Sequence, residues 1–277
     1  MLGIAAALCI GLLACGLASP ALAAPPAPVP LLGYADLADL ADRAPSVLRA
    51  QVRSIAVVEP ARAPGLRPGY ARLYIEARTV ALISGPPLTG DALRYLADVP
   101  LDSKGKPPKL AKREVLLFAR TVPARPGELQ LVAPDAQVLW SQANEDRLRG
   151  ILRELLAPGA PGRVARVSEA IYVPGTLAGE GESQMFLATA DGEPASITVT
   201  HQPGAEPRWN VSFSEVVDAS GAPPARDTLA WYRLACFLPR SLDPAVNVSS
   251  TAEDKARAAA DYTWVLGQLG TCPRSRG

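Results

Sequence analysis

Two Pro-Gly pairs in six residues, Ala157-Pro158-Gly159-Ala160-Pro161-Gly162, set the tightest limit on what this chain can fold into. Proline has no N–H to give a helix or a ladder, and glycine loses the most backbone freedom when ordered. No regular element is expected to cross such a stretch, so it reads as a linker between two units. The chain has 277 residues. At about 150 residues per domain, that length allows one large or two small domains. Either is long enough to bury a substantial core.

The first residues belong to neither unit. Residues 2–18 are almost wholly apolar, with three glycines and no charge. Ser19-Pro20 breaks the run, and Ala21-Leu22-Ala23 follows, with the small residues a signal peptidase accepts. The pattern predicts a cleaved signal peptide over residues 1–23, Ala24 as the new N-terminus, and a periplasmic or extracellular destination. The usual basic n-region is missing. Leu12-Leu13-Ala14-Cys15 offers a second route, a lipoprotein box with Cys15 lipidated. Residues 24–33 are rich in proline and are expected to form an extended leader.

Residues 34–157 carry strand patterns between two helices. Tyr34 to Arg43 reads as a helix with Leu37, Leu40 and Ala41 on one face. Leu48, Ala50 and Val52 alternate with polar residues, as do Leu73, Ile75 and Ala77. Val80 to Ile83 extends the second run, past a bulge, as far as Gly85-Pro86-Pro87. Leu93 to Val99, Glu114 to Val122, Leu129 to Val132 and Gln137 to Trp140 read as further strands. A helix is expected from Gln142 to Leu156, capped by Ser141, with Leu148, Ile151, Leu152 and Leu155 buried. Short strands closed by a helix fit a small antiparallel barrel.

Residues 163–277 read as an antiparallel sheet with two C-terminal helices. Val164 to Val173 looks extended, and Asp191-Gly192 marks a hairpin between Met185–Thr189 and Ala195–Thr200. Arg208 to Val217 is the last strand expected. Asp227 to Leu238 and Thr251 to Leu269 are expected helices, the second opened by a capping box of Thr251 and Asp254. The fold class is therefore α+β, mainly β: a small antiparallel, OB-like barrel followed by an antiparallel sheet with two helices.

Three segments carry a resemblance. They are the strand leading into Ile55-Ala56-Val57-Val58-Glu59, then Ala81-Leu82-Ile83-Ser84-Gly85, then Val115-Leu116-Leu117-Phe118-Ala119. Together they resemble the OB-type barrel of netrin-like and metalloproteinase-inhibitor modules, over less than half of the chain. The resemblance implies a barrel fold. The inhibitors chelate zinc with a Cys at the mature N-terminus. Ala24 stands there in this chain, and the first unit has no Cys, so that mechanism is not implied.

Charge narrows the functional classes. Lys and Arg number 28 against 27 Asp and Glu, so no overall field draws nucleic acid or an anionic membrane. Aromatic residues make up 5% of the chain, too few for a stacking platform along a single strand. Removing the signal leaves Cys236 and Cys272, an even pair in an oxidising compartment. A disulfide is expected, the alternative being two buried free thiols.

The chemistry search returns few candidates. His201 is the only histidine, so common zinc sites cannot be built. It is expected at a strand end, solvated. Ser103-Lys104-Gly105-Lys106 has Ser-x-x-Lys spacing, but Gly105 and Pro107-Pro108 forbid the helix that chemistry needs. Gly179-Glu180-Gly181 is a fragment of a phosphate loop with repelling carboxylates and reads as a flexible entry to the next strand. Glu169, Glu180, Glu182, Glu215 and Asp218 are the acids available for a glycosidase-type pair. Asn210 and Asn247 head glycosylation triplets. No catalytic residue, metal or cofactor is predicted.

One segment stands out. Lys104, Lys106, Lys109, Lys112 and Arg113 place five cations in ten residues, and the chain has only five lysines in all. Such a loop attracts an anionic glycan, a lipid headgroup or an acidic protein. The plainer reading is a solvated loop whose lysines stop barrel edges pairing with other chains. The sequence therefore points to an exported, monomeric, non-enzymatic binding module. The alternatives are an envelope hydrolase with an unrecognised carboxylate site and a lipid-anchored structural protein.

Overall fold

The structure, a computed structural model, describes residues 29–88, 90–214 and 221–276. The expected signal peptide, Cys15, Ala24, Glu215 and Asp218 lie outside the described residues. Among the described residues two antiparallel sheets and four α-helices make the fold, which is α+β and mainly β.

The first sheet holds β1 (Ser46–Val57), β2 (Tyr70–Ser84), β3 (Ala92–Pro100), β4 (Glu114–Thr121) and β5 (Leu129–Leu131), in the order β3-β2-β1-β4-β5. A further short strand, β6 (Gln137–Leu139), also pairs with β4. The alternation read from sequence is real: Leu48, Ala50, Val52, Leu73 and Ile75 are all fully buried. β2 runs as one strand to Ser84, and its register on β1 slips between Val47 and Leu48, between Arg49 and Ala50, and between Val52 and Ser54. Each slip adds local twist and curls the sheet. Gly85, at φ +115°, then ends β2 where any side chain would collide with the backbone of Pro45 and Ser46.

The expected barrel is an open sheet. β3 meets the residues flanking β5 through one parallel bridge, Arg94 to Glu128, and two backbone bonds. The Arg94 N–H donates to Gly127 O at 2.8 Å and the Asp98 N–H to Pro134 O at 2.7 Å. A three-residue β5 is too short to extend these contacts into a ladder. β4 is buried on both faces, from Val115 to Ala119, which is why its sequence reads as a continuous apolar run.

α1 (Tyr34–Ala41) and α2 (Gln142–Leu155) pack together beside this sheet. Ser141 caps α2 by accepting the Asn144 N–H at 3.2 Å; Leu148, Ile151 and Leu152 are buried as expected, while Leu155, in the last turn, is only half-buried. The second sheet follows the Pro-Gly stretch. It holds β7 (Val164–Pro174), β8 (Gly181–Thr189), β9 (Ala195–His201) and β10 (Arg208–Ser212), in the order β10-β9-β8-β7. β10 is shorter than expected, and residues 215–217 lie outside the described residues.

α3 (Leu229–Ala235) starts later than expected, because Asp227 has φ +60° and Thr228 takes the capping position. α4 (Ala252–Leu269) opens with the capping box of Thr251 and Asp254 and packs on β7 and β8. Cys236, just past α3, is disulfide-bonded to Cys272, just past α4. Among the described residues an apolar cluster joins the two halves, from Leu37 and Leu148 to Tyr232 and Leu269.

Candidate functional site

Residues 101–113 join β3 to β4 and carry the five cations singled out from sequence. Their backbone is fixed at three points. The Asp102 carboxylate accepts the N–H groups of Lys104 at 2.9 Å and Lys106 at 2.8 Å, and the Asp102 N–H donates to Lys106 O at 2.8 Å. Asp does this readily because its short side chain reaches the backbone two residues on. Leu110 is buried in the core and tethers the middle. At the far end the Lys112 N–H donates to Val52 O, and the Val52 N–H donates to Arg113 O, both at 2.9 Å. Lys112 adopts φ +66°, an uncommon conformation for a residue with a side chain.

The loop's cations remain available. Lys104, Lys106, Lys109 and Lys112 are exposed and Arg113 is half-buried. None forms an ion pair among the described residues. Each cation near an anionic surface contributes roughly 1 kcal/mol, lost with rising salt. The exposed cations give this loop a local positive charge.

Around α1, by contrast, charge is consumed internally. α1 and its C-cap present Asp36, Asp39 and Asp42 toward the C-terminal half. Asp42 accepts from Arg233 through both oxygens, at 2.8 Å each, and from Arg163 at 2.7 Å. Burial pushes the Asp42 carboxyl up, but the Arg233 and Arg163 hydrogen bonds outweigh it and hold the pKa below its ordinary value. Asp39 accepts from Arg274 Nε and from the Tyr232 hydroxyl, both at 2.6 Å, with the same net direction. Burial is the chief reason the Tyr232 hydroxyl is pushed far above its ordinary value. Asp36 accepts the backbone N–H groups of Ser275 and Arg276. Sequence reading missed these partners, since all lie more than a hundred residues away.

His201 corrects an expectation. It ends β9 as expected, but it is 8% exposed rather than solvated. Its Nε2 lies 2.9 Å and 3.0 Å from the two oxygens of Asp261 on α4. The Ser183 hydroxyl donates to the same carboxylate at 2.5 Å. Ser183 is fully buried and both partners converge on the acid, so no nucleophile–base–acid relay forms. The cluster instead pins α4 to β8 and β9. One sequence signal existed: Asp261 interrupts the apolar stripe of Ala258, Tyr262, Val265 and Leu269.

The acids considered for glycoside chemistry are not assembled. Glu180 accepts the N–H groups of Thr176 and Leu177 within its own turn, and Glu182 accepts from Gln184. That turn is therefore ordered rather than a loose entry, and β8 begins at Gly181, packed under the Tyr172 hydroxyl. Glu169 is exposed on β7. A cavity of about 360 Å³ does gather Asp36, Asp39, Asp98 and Asp135. Each is occupied: Asp98 by Arg72, Asp135 by Arg276, and the other two as above. Asn247 and Asn210 are both buried, which withholds their amides from modification. Among the described residues no group of His, Cys, Asp and Glu forms a metal cluster, and no helix is long and apolar enough to cross a membrane.

No protein-family model matches the chain, and a search of curated proteins finds no significant relative.

Proposed function

We propose that this is an exported, non-enzymatic protein that holds an anionic partner through the loop bearing Lys104, Lys106, Lys109, Lys112 and Arg113. The partner is an acidic glycan, an anionic lipid surface or an acidic protein. One observation carries the reading. Four of the chain's five lysines sit on one exposed loop whose backbone is fixed and whose cations meet no carboxylate among the described residues. Ordered cations lose less entropy on meeting a partner than cations on a mobile loop. The engagement of Asp36, Asp39, Asp98 and Asp135 supports a non-enzymatic role, because none is left to act as a free acid or base.

Retention on heparin and on anionic liposomes tests this, with a K104A/K106A/K109A/K112A variant beside the parent. The parent should elute at clearly higher salt. Equal elution of the two would end the proposal. An intact mass of the mature protein, beginning at Ala24 and lower by two hydrogens than its reduced form, tests export in parallel.

A further inference from the structure

The gap between β3 and β5 opens into a groove of about 730 Å³ on the outer face of the first sheet. That volume lies within the range of small-ligand sites, roughly 300–1,000 Å³. Four arginines line it, and they divide into two kinds. Arg72 is spent: its guanidinium holds Asp98 through two bonds, at 2.7 Å and 2.9 Å, and also donates to Pro64 O. Arg125 pairs with Glu128 at 2.9 Å. Arg94 and Arg120 are exposed and make no side-chain hydrogen bond or ion pair among the described residues. Since Asp98 and Glu128 are the only acids in the lining, the groove keeps two unpaired guanidinium groups. Glu76 faces Arg94 across the ladder, but its carboxylate accepts from Ser54 and it is not part of the lining.

The floor has a distinct chemistry. Tyr74 and Leu96 are cross-strand partners on the outer face, 39% and 48% exposed. Exposed aromatic and large aliphatic side chains in a concave site supply contact area for a ligand's apolar face. A guanidinium offers a planar pair of donors that fits a carboxylate or sulfate. A ligand with a ring face for Tyr74 and anionic oxygens for Arg94 and Arg120 satisfies both features.

We propose that this groove binds a segment of acidic sugar, its carboxylate or sulfate groups on Arg94 and Arg120 and a ring face on Tyr74. The site is separate from the lysine loop and does not depend on it. A single-stranded nucleic acid has the same charge but needs successive aromatic platforms. The groove has one exposed ring, because Tyr95 in the same lining is buried.

Calorimetry at low salt with a galacturonate tetrasaccharide and a heparin-derived tetrasaccharide tests this. The full mature protein is compared with R94Q/R120Q, with Y74A and with the lysine-loop quadruple variant. At least one sugar should bind the parent and the loop variant equally, and bind R94Q/R120Q at least tenfold more weakly. Y74A should weaken it severalfold, and a fully methyl-esterified galacturonate should not bind. The exposed arginines predict unchanged melting of R94Q/R120Q, which separates lost binding from lost folding. Silence of the parent toward both sugars, or undiminished affinity in R94Q/R120Q, overturns the proposal. Tighter binding of an oligo-dT strand than of either sugar overturns it in favour of nucleic acid. Binding lost only in the loop variant overturns it while leaving the loop reading intact.

Discussion

Along α1, Asp39 and Asp42 meet Arg163, Arg233 and Arg274 at 2.6 to 2.8 Å, while along residues 104–113 five cations meet no carboxylate among the described residues. Both regions are dense in charge and both are ordered. The difference is where the counter-charge comes from. On α1 it is supplied by the same chain, across more than a hundred residues of sequence, with Arg233 almost fully withdrawn from water. On the loop it is missing and the cations stay solvated. Charge that is paired and buried holds the two halves together. Charge that is ordered and unpaired is free to meet another molecule.

The largest break of this comparison is Asp42→Ala. It strands Arg233, whose side chain is 6% exposed, without its carboxylate. Removing one partner of a buried pair costs about 3–5 kcal/mol. Denaturant unfolding of the Asp42→Ala protein beside the parent should show it. A cost below about 1 kcal/mol would mean that the α1 contacts are ornamental and that the contrast with the loop fails.

Next in size is the disulfide. Cys236 and Cys272 are 36 residues apart in sequence, so the bond limits the unfolded chain by roughly 3–4 kcal/mol in the loop-closure account. It also anchors the segment that carries Arg274 to Asp39 and Ser275 to Asp36. C236S/C272S should therefore unfold at lower denaturant, and amide exchange at Ser275 and Arg276 should accelerate. Exchange unchanged at those two amides would show that the tail is held by α1 alone.

Acid sharpens the same comparison with a smaller effect. The Asp39 and Asp42 pKa values are lower in the folded chain than the ordinary 3.8. A depressed carboxyl contributes stability above its unfolded pKa, and that contribution is lost as pH falls through the folded value. Stability should hold steady from neutrality down to about pH 5 and decline below about pH 4. Asp42→Asn should be less stable at pH 7 and lose less on acidification. Parallel acid curves for the two proteins would remove Asp42 from the account. The loop lysines carry no carboxylate partner and contribute nothing to this decline.

How far the sequence disclosed these features depends on the range of the interaction that fixes each. Strands β1 and β2 follow from alternation, because burial of every second side chain is local, and β4 follows from its unbroken apolar run. α2 and α4 follow from a stripe with a cap at Ser141 or Thr251. The Cys236–Cys272 pairing follows from counting. The open barrel does not, because closure depends on β5 stopping after three residues and on where residues 132–136 turn. The start of α3 was hidden by the left-handed Asp227. The burial of His201 is not legible locally, because Asp261, 60 residues on, supplies the hydrogen-bond partner that a buried imidazole needs. The lysine loop was visible as composition, but its order rests on Asp102, Leu110 and Val52, which no charge pattern marks. The groove with Arg94 and Arg120 was invisible, since those residues come together only when β3 and β5 approach.

The smallest expected effect is the most discriminating. K104A/K106A/K109A/K112A removes four cations from a loop whose backbone contacts run through Asp102, Leu110 and Val52, not through the ammonium groups. Exposed substitutions away from buried features change stability by about ±0.5 kcal/mol or less. Unfolding should be nearly unchanged: no ion pair is lost, and removing like charges from one loop relieves repulsion. A cost above about 1 kcal/mol would assign the lysines to the fold, as the α1 carboxylates are, and would leave the loop no surplus charge to offer a partner.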